Sequence, residues 1–229
     1  MLRFISLICI LFLVATLAGA MLHETIRNTV AKSLGYHHNP NHTIGELFFI
    51  SDTMQAAFKP IAWANREAIY HTHKNFKDKP KWDALVYQDM KDHAMIELSG
   101  WLYTLTISFT GIIILLARRK KRKADFELMD WVAIVMALTI LKQVFFSFLF
   151  LTLGSMPCDI AKMARFFSLP VFTTEKVQLV IGICFSYSIV AFTIPKVKIF
   201  PFLIGGLIGG VAGFLLYFFF ISRILFGAW

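Results

Sequence analysis

The stretch best equipped for chemistry is His23-Glu24-Thr25-Ile26-Arg27, continued by Ala31-Lys32-Ser33-Leu34-Gly35. Residues at i and i+4 share one helix face. Two histidines at that spacing can therefore hold a zinc ion while a glutamate beside the first activates the metal-bound water. Here the second ligand position is Arg27, whose guanidinium stays protonated and repels a dication. The plain alternative is an i, i+3 ion pair between Glu24 and Arg27 at a helix end, with His23 solvated beside it.

The pattern resembles the site-2-protease-type family of intramembrane zinc metalloproteases, in which a His-Glu-x-x-His helix near one membrane face is often followed by a stretch like Ala-Lys-x-Leu-Gly. The close resemblance runs from His23 to Gly35. More loosely it takes in the order of apolar segments, the Glu97 to Thr106 stretch and the loop from Asp159 to Pro170. It implies His23 as first metal ligand, Glu24 as general base and Asp159 as the loop carboxylate standing for the distal ligand. The Asn-Pro-Asp-Gly-like context of that acid is missing. With Arg27 at the second position, the resemblance implies a disabled site and no resident cofactor. Zinc is the alternative, should another histidine complete the set.

Other candidate chemistry is sparser. Lys142, followed by Gln143, falls near the middle of an apolar segment, where a lysine costs about 2.5–3.5 kcal/mol on insertion scales. It is expected to face other helices or water, either paired or snorkelling, or else to handle protons or substrate. Glu24, Glu97, Asp130 and Asp159 are its candidate partners. Ser99, Tyr103, Thr106 and Thr110 fall on one helical face, which reads as hydroxyl contacts to neighbouring helices or as a polar pathway. All seven histidines lie between His23 and His93, and His37, His38, His42, His71 and His73 would need an unknown fold to converge. Cys9, Cys158 and Cys184 offer neither a disulfide framework nor metal-type spacing.

What must position these residues is a set of apolar helices arranged around the basic run Arg118-Arg119-Lys120-Lys121-Arg122-Lys123. Apolar residues precede it from Leu98 to Ala117 and follow it from Trp131 to Leu153, so it reads as a tight turn between two membrane spans. Short Lys- and Arg-rich loops stay cytoplasmic, and Lys196 and Lys198 form a second such turn. Both turns fall on one side if the chain makes five spans. The expected fold is an all-α, multi-pass bundle of about five spans in a plasma or inner membrane, with its basic loops cytoplasmic.

Along the chain, residues 1–35 read as a first span with an amphipathic continuation. Residues 1–20 also match a cleavable secretory signal, but Leu22, Ile26, Val30 and Leu34 continue one helical face past Ala20 to a stop at Gly35. Residues 36–92 form an extramembrane segment. In it Leu47, Ile50, Met54, Ala57 and Ile61 mark an amphipathic helix, and Asp78-Lys79-Pro80 marks a break before a helix that runs into the second span. Residues 93–229 form a four-span bundle. Between its spans Ile160, Met163, Ala164 and Phe167 read as a short interfacial helix. In the last span, Gly205, Gly209 and Gly213 strip one face of side chains, for an intramolecular contact or for a partner or second copy of the chain.

Composition narrows the function classes. An apolar share of 57% suits a membrane domain. Six residues of the basic run account for much of the +9 net charge, and topology and anionic lipid explain them, so nucleic acid is not an expected partner. Three classes remain. The first is a non-catalytic, metalloprotease-like subunit or scaffold of a membrane complex, with the lipid bilayer and another protein as partners. The second is an active zinc metallopeptidase using His23 and Glu24. The third is a small transporter or channel component centred on Lys142.

Overall fold

A computed structural model describes residues 1–38, 49–69, 75–118, 126–153, 158–170, 172–221 and 224, and these are almost wholly helical. The helices are α1 (Leu2–Ser33), α2 (Asp52–Ala64), α3 (Lys79–Arg118), α4 (Leu128–Ala137), α5 (Leu141–Leu153), α6 (Cys158–Phe166), α7 (Thr173–Thr193) and α8 (Lys196–Leu216). Five helical stretches are long and apolar enough to cross a membrane: Leu2–Ser33, Lys79–Arg118, Leu128–Phe145, Thr173–Thr193 and Lys196–Ile221.

The first helix passes through Ala20 without a break and ends where glycine permits a left-handed turn. Gly35 has φ +78, the Tyr36 amide donates to the Ala31 carbonyl at 2.9 Å, and the Gly35 amide donates to that of Lys32 at 3.1 Å. Two of the last carbonyls are thereby satisfied, and Tyr36 folds back onto Ala31, where Phe49 and Ile96 complete a small core.

One short β pairing follows α1 in the otherwise helical chain. His37–His38 (β1) pairs antiparallel with Phe49–Ile50 (β2), His37 lying opposite Ile50. Burial of Phe49 against the end of α1 holds this short pairing in place. From β2 the chain enters α2, whose first turn is capped by the Ser51 hydroxyl, which accepts from the Met54 amide at 3.4 Å. This helix rests on α3 through the Phe58 and Trp82 rings, 5.0 Å apart.

Three packing relations build the bundle. α1 lies along α8, α5 along α7, and α3 touches α1, α4 and α6. The α1–α8 contact rests on glycine. A Cβ on Gly205 would lie 2.8 Å from the Ile5 carbonyl oxygen, one on Gly213 2.9 Å from that of Leu13, and one on Gly209 would strike the Cys9 carbonyl. Backbone meets backbone there, so this face is occupied within the chain by α1. Gly111 plays the same part between α3 and α4, where a Cβ would come within 2.6 Å of the Ala133 carbonyl oxygen.

One expected element changes character. The segment expected as one span from Trp131 to Leu153 is two helices joined by a tight 3-10 turn at Leu138–Ile140, which lets α4 follow α3 while α5 follows α7. The helix expected to lie at the membrane interface, α6, is seated on α3. Met163 is buried against Ala94, with Leu98, Trp101 and Phe166 around them, while Phe167 stays exposed.

Candidate functional site

The end of α1 meets the middle of α3, and the sequence at that crossing is small and polar. Along α3, Glu97, Gly100, Thr104, Ser108 and Gly111 are all buried, one or two turns apart on one face. Gly100 permits the approach: a Cβ there would sit 2.6 Å from the His23 imidazole and 3.1 Å from Cγ of Arg27. His23, Glu24 and Arg27 are consequently buried, with 6%, 3% and 2% of their surfaces exposed. The expectation of a solvated His23 is therefore corrected: α3 covers it, and its Nδ1 faces the Thr104 hydroxyl at 3.4 Å.

Arg27 is the centre of the cluster. Its Nη1 donates to Glu24 Oε2 at 2.8 Å, its Nη2 donates to Glu97 Oε1, and its guanidinium lies 5.4 Å from the centre of the Phe49 ring. An i, i+3 pair along one helix thus becomes a clamp between two helices, roofed by the short β pairing. Two buried carboxylates would each be costly alone, and a permanent cation between them offsets that cost.

This geometry tests the zinc expectation. Glu24 Oε1 lies 3.9 Å from His23 Nε2, so the first ligand and the base of the resemblance are side by side. Arg27 occupies the second ligand position and is held by the very carboxylate that would serve as base. A guanidinium bonded to Glu24 and Glu97 leaves a donor set that suits an arginine and does not suit a dication. Among the described residues, no three His, Cys, Asp or Glu side chains gather into a group able to hold a metal ion. Asp159 belongs to α6, but its side chain lies outside the described residues, as do His42, His71, His73 and the side chain of His38.

Lys142 is the second residue of α5, just after the 3-10 turn. Glu24 and Glu97 hold Arg27, and Asp130 holds Arg118 through Nε at 2.9 Å. Arg118 also reaches Glu127 at 2.5 Å, tying the end of α3 to the start of α4, while 119–123 lie outside the described residues. The expected hydroxyl contacts from α3 are corrected too. Thr106 donates to the Leu102 carbonyl at 2.7 Å and Thr110 to that of Thr106 at 2.8 Å, and both are exposed on their own helix.

One network escaped the sequence reading. Above the apolar part of α3, Asp89 meets Lys162 of α6 at 2.8 Å and His93 at 3.4 Å, and the Tyr36 hydroxyl donates to Asp89 at 3.3 Å. Burial raises the Asp89 carboxyl, but hydrogen bonds and charge from His93 and Lys162 outweigh it and set the group at about 2. Burial, followed by the charges of Asp89 and Asp92, pushes the Tyr36 phenol up. These contacts join the end of α1, α3 and α6 into one rigid corner. Its signal in the sequence was the i, i+4 pair Asp89 and His93, whose third member, Lys162, lies on the distant helix α6.

The chain matches no protein-family model, no curated protein and no solved structure.

Proposed function

We propose that this chain is a multi-pass integral membrane protein that serves as a non-catalytic, metalloprotease-like subunit or scaffold of a membrane complex. Its five apolar helices support membrane residence. The observation that carries the rest is Arg27, which stands at the second ligand position of a His-Glu-x-x-His pattern and is clamped by Glu24 and Glu97. Both the base and the metal position are committed to an ion pair that fastens two helices together. The site has kept the crossing of α1 and α3 and put it to structural use, which suits a protein whose work is contact.

Zinc content tests this reading. Full-length protein purified in detergent without chelator is expected to carry well under one zinc per chain by elemental analysis. Stoichiometric zinc that disappears in His23→Ala would overturn the proposal and favour the active metallopeptidase.

A further inference from the structure

Five carboxylates are buried among the described residues: Glu24, Asp92, Glu97, Asp130 and Glu175. Four of them have donors. Arg27 serves Glu24 and Glu97, Arg118 serves Asp130, and Asp92 accepts from Gln88 Nε2 at 2.8 Å. Glu175, in the first turn of α7, has 1% of its surface exposed, and neither of its oxygens accepts a hydrogen bond.

Its neighbours show what the group needs. Ser147 of α5 lies beside Glu175 and is itself fully buried, but its one hydroxyl proton is committed elsewhere, donated to Gln178 Oε1 at 2.9 Å. Glu175, Ser147 and Gln178 thus bring several acceptor oxygens together around a single proton. Charge from the surrounding elements does not fill the gap. Ser147 meets Gln178 and Val144 meets Gly182, so α5 and α7 run antiparallel. Lys142 therefore stands beyond the level of Gly182, which is itself about 10 Å along α7 from Glu175. On α4, which also packs on α7, the charged residue is Asp130, held by Arg118, and the 3-10 turn carries none. On α7 itself Lys176, Cys184 and Tyr187 are exposed.

An ionised carboxylate here would face lone pairs in a medium that cannot solvate it. A protonated one completes the arrangement. Its O–H donates to the Ser147 oxygen, whose own proton already points at Gln178, and the three side chains form one chain of hydrogen bonds across α5 and α7. The 2.9 Å between Ser147 and Gln178 is a hydrogen-bond length, so a proton joins that pair and no larger cation separates the two oxygens. We infer that Glu175 is a proton-binding site, its carboxyl held as the neutral acid that closes the contact between α5 and α7. Ionisable groups inside apolar helices are where membrane proteins handle protons. This site lies apart from the Arg27 clamp, and its test does not depend on zinc content.

Infrared difference spectroscopy of the full-length protein in lipid nanodiscs at neutral pH reads the protonation state directly. Wild type minus Glu175→Gln is expected to show the carbonyl stretch of a protonated carboxylic acid, with the intensity of one group per chain and a downward shift in heavy water. Glu175→Gln keeps a donor for Ser147 and adds no charge, so its thermal midpoint should match the wild type. Ser147→Ala removes the acceptor and should move the acid band to higher frequency, the direction of a weaker hydrogen bond, without abolishing it. That second variant is compared with wild type directly and gives the reading even if Glu175→Gln does not fold. Carboxylate bands in place of the acid band would overturn the assignment, and their dependence on added sodium would make the occupant a metal ion. An acid band that Ser147→Ala leaves unmoved would also overturn it.

Discussion

Arg27 shows how one residue type decides what a constellation can do. A neutral imidazole at that position would offer a lone pair. A guanidinium offers only donors, and it finds acceptors in Glu24 beside it and Glu97 across the helix crossing. Because all three side chains are buried, removing the cation strands two carboxylates in a medium that cannot solvate them. Arg27→Met is therefore expected to destabilise the protein by about 3–5 kcal/mol, read as a fall in the thermal unfolding midpoint in detergent. Combining it with Glu24→Gln and Glu97→Gln should recover much of that loss, since the uncompensated charges go with it. If Arg27→Met alone unfolds at the wild-type temperature, the clamp does not hold the helices together.

At the level of elements, neighbouring glycines on α8 have opposite duties. Gly209 presses on the Cys9 carbonyl of α1, whereas Gly210, the next residue, faces open space. Gly209→Leu should separate the helices or strain them, at a cost of at least about 1–3 kcal/mol, while Gly210→Leu should be close to neutral by the same thermal measurement. Equal effects at the two positions would mean that α1 and α8 do not meet through this face. The spacing of these glycines was legible because a four-residue repeat of a missing side chain has few causes. The end of α1 was legible for a similar reason: Gly35 can adopt a positive φ at no steric cost. The 3-10 turn at Leu138–Ile140 was not, since no glycine or proline marks it. Nor was the pairing of Glu97 with Arg27, which depends on how α1 and α3 are rotated about their axes. The Glu24–Arg27 pair was expected because it needs one helix only. Thr106 and Thr110 misled because a carbonyl four residues back satisfies a hydroxyl as well as another helix would.

The whole molecule has two dissimilar ends. At one end Phe4 of α1, Trp131 of α4 and Phe202 of α8 stack within 6.0 Å of one another through Trp131, and the Lys198 ammonium lies 5.9 and 5.8 Å from the Phe4 and Trp131 ring centres. Arg118 ties the end of α3 to the start of α4 at that same end, so Arg118 and the turn holding Lys196 and Lys198 share one side of the bundle. Aromatic rings beneath cations are what a membrane–water boundary favours. The opposite end carries the Arg27 clamp, the β pairing, α2 and the Asp89 corner, with mixed charge. Retention of short basic loops predicts one orientation for all five apolar helices. In a background with Cys9, Cys158 and Cys184 replaced by alanine, Glu67→Cys should react with an impermeant maleimide on intact cells. Lys196→Cys should react only after permeabilisation. Both residues are exposed, so a lack of labelling reflects sidedness and not burial. Reaction of both positions from one compartment would require an even number of crossings between them in place of the three that α3, α4–α5 and α7 supply, and would remove the five-span arrangement on which the depth of the Arg27 clamp depends.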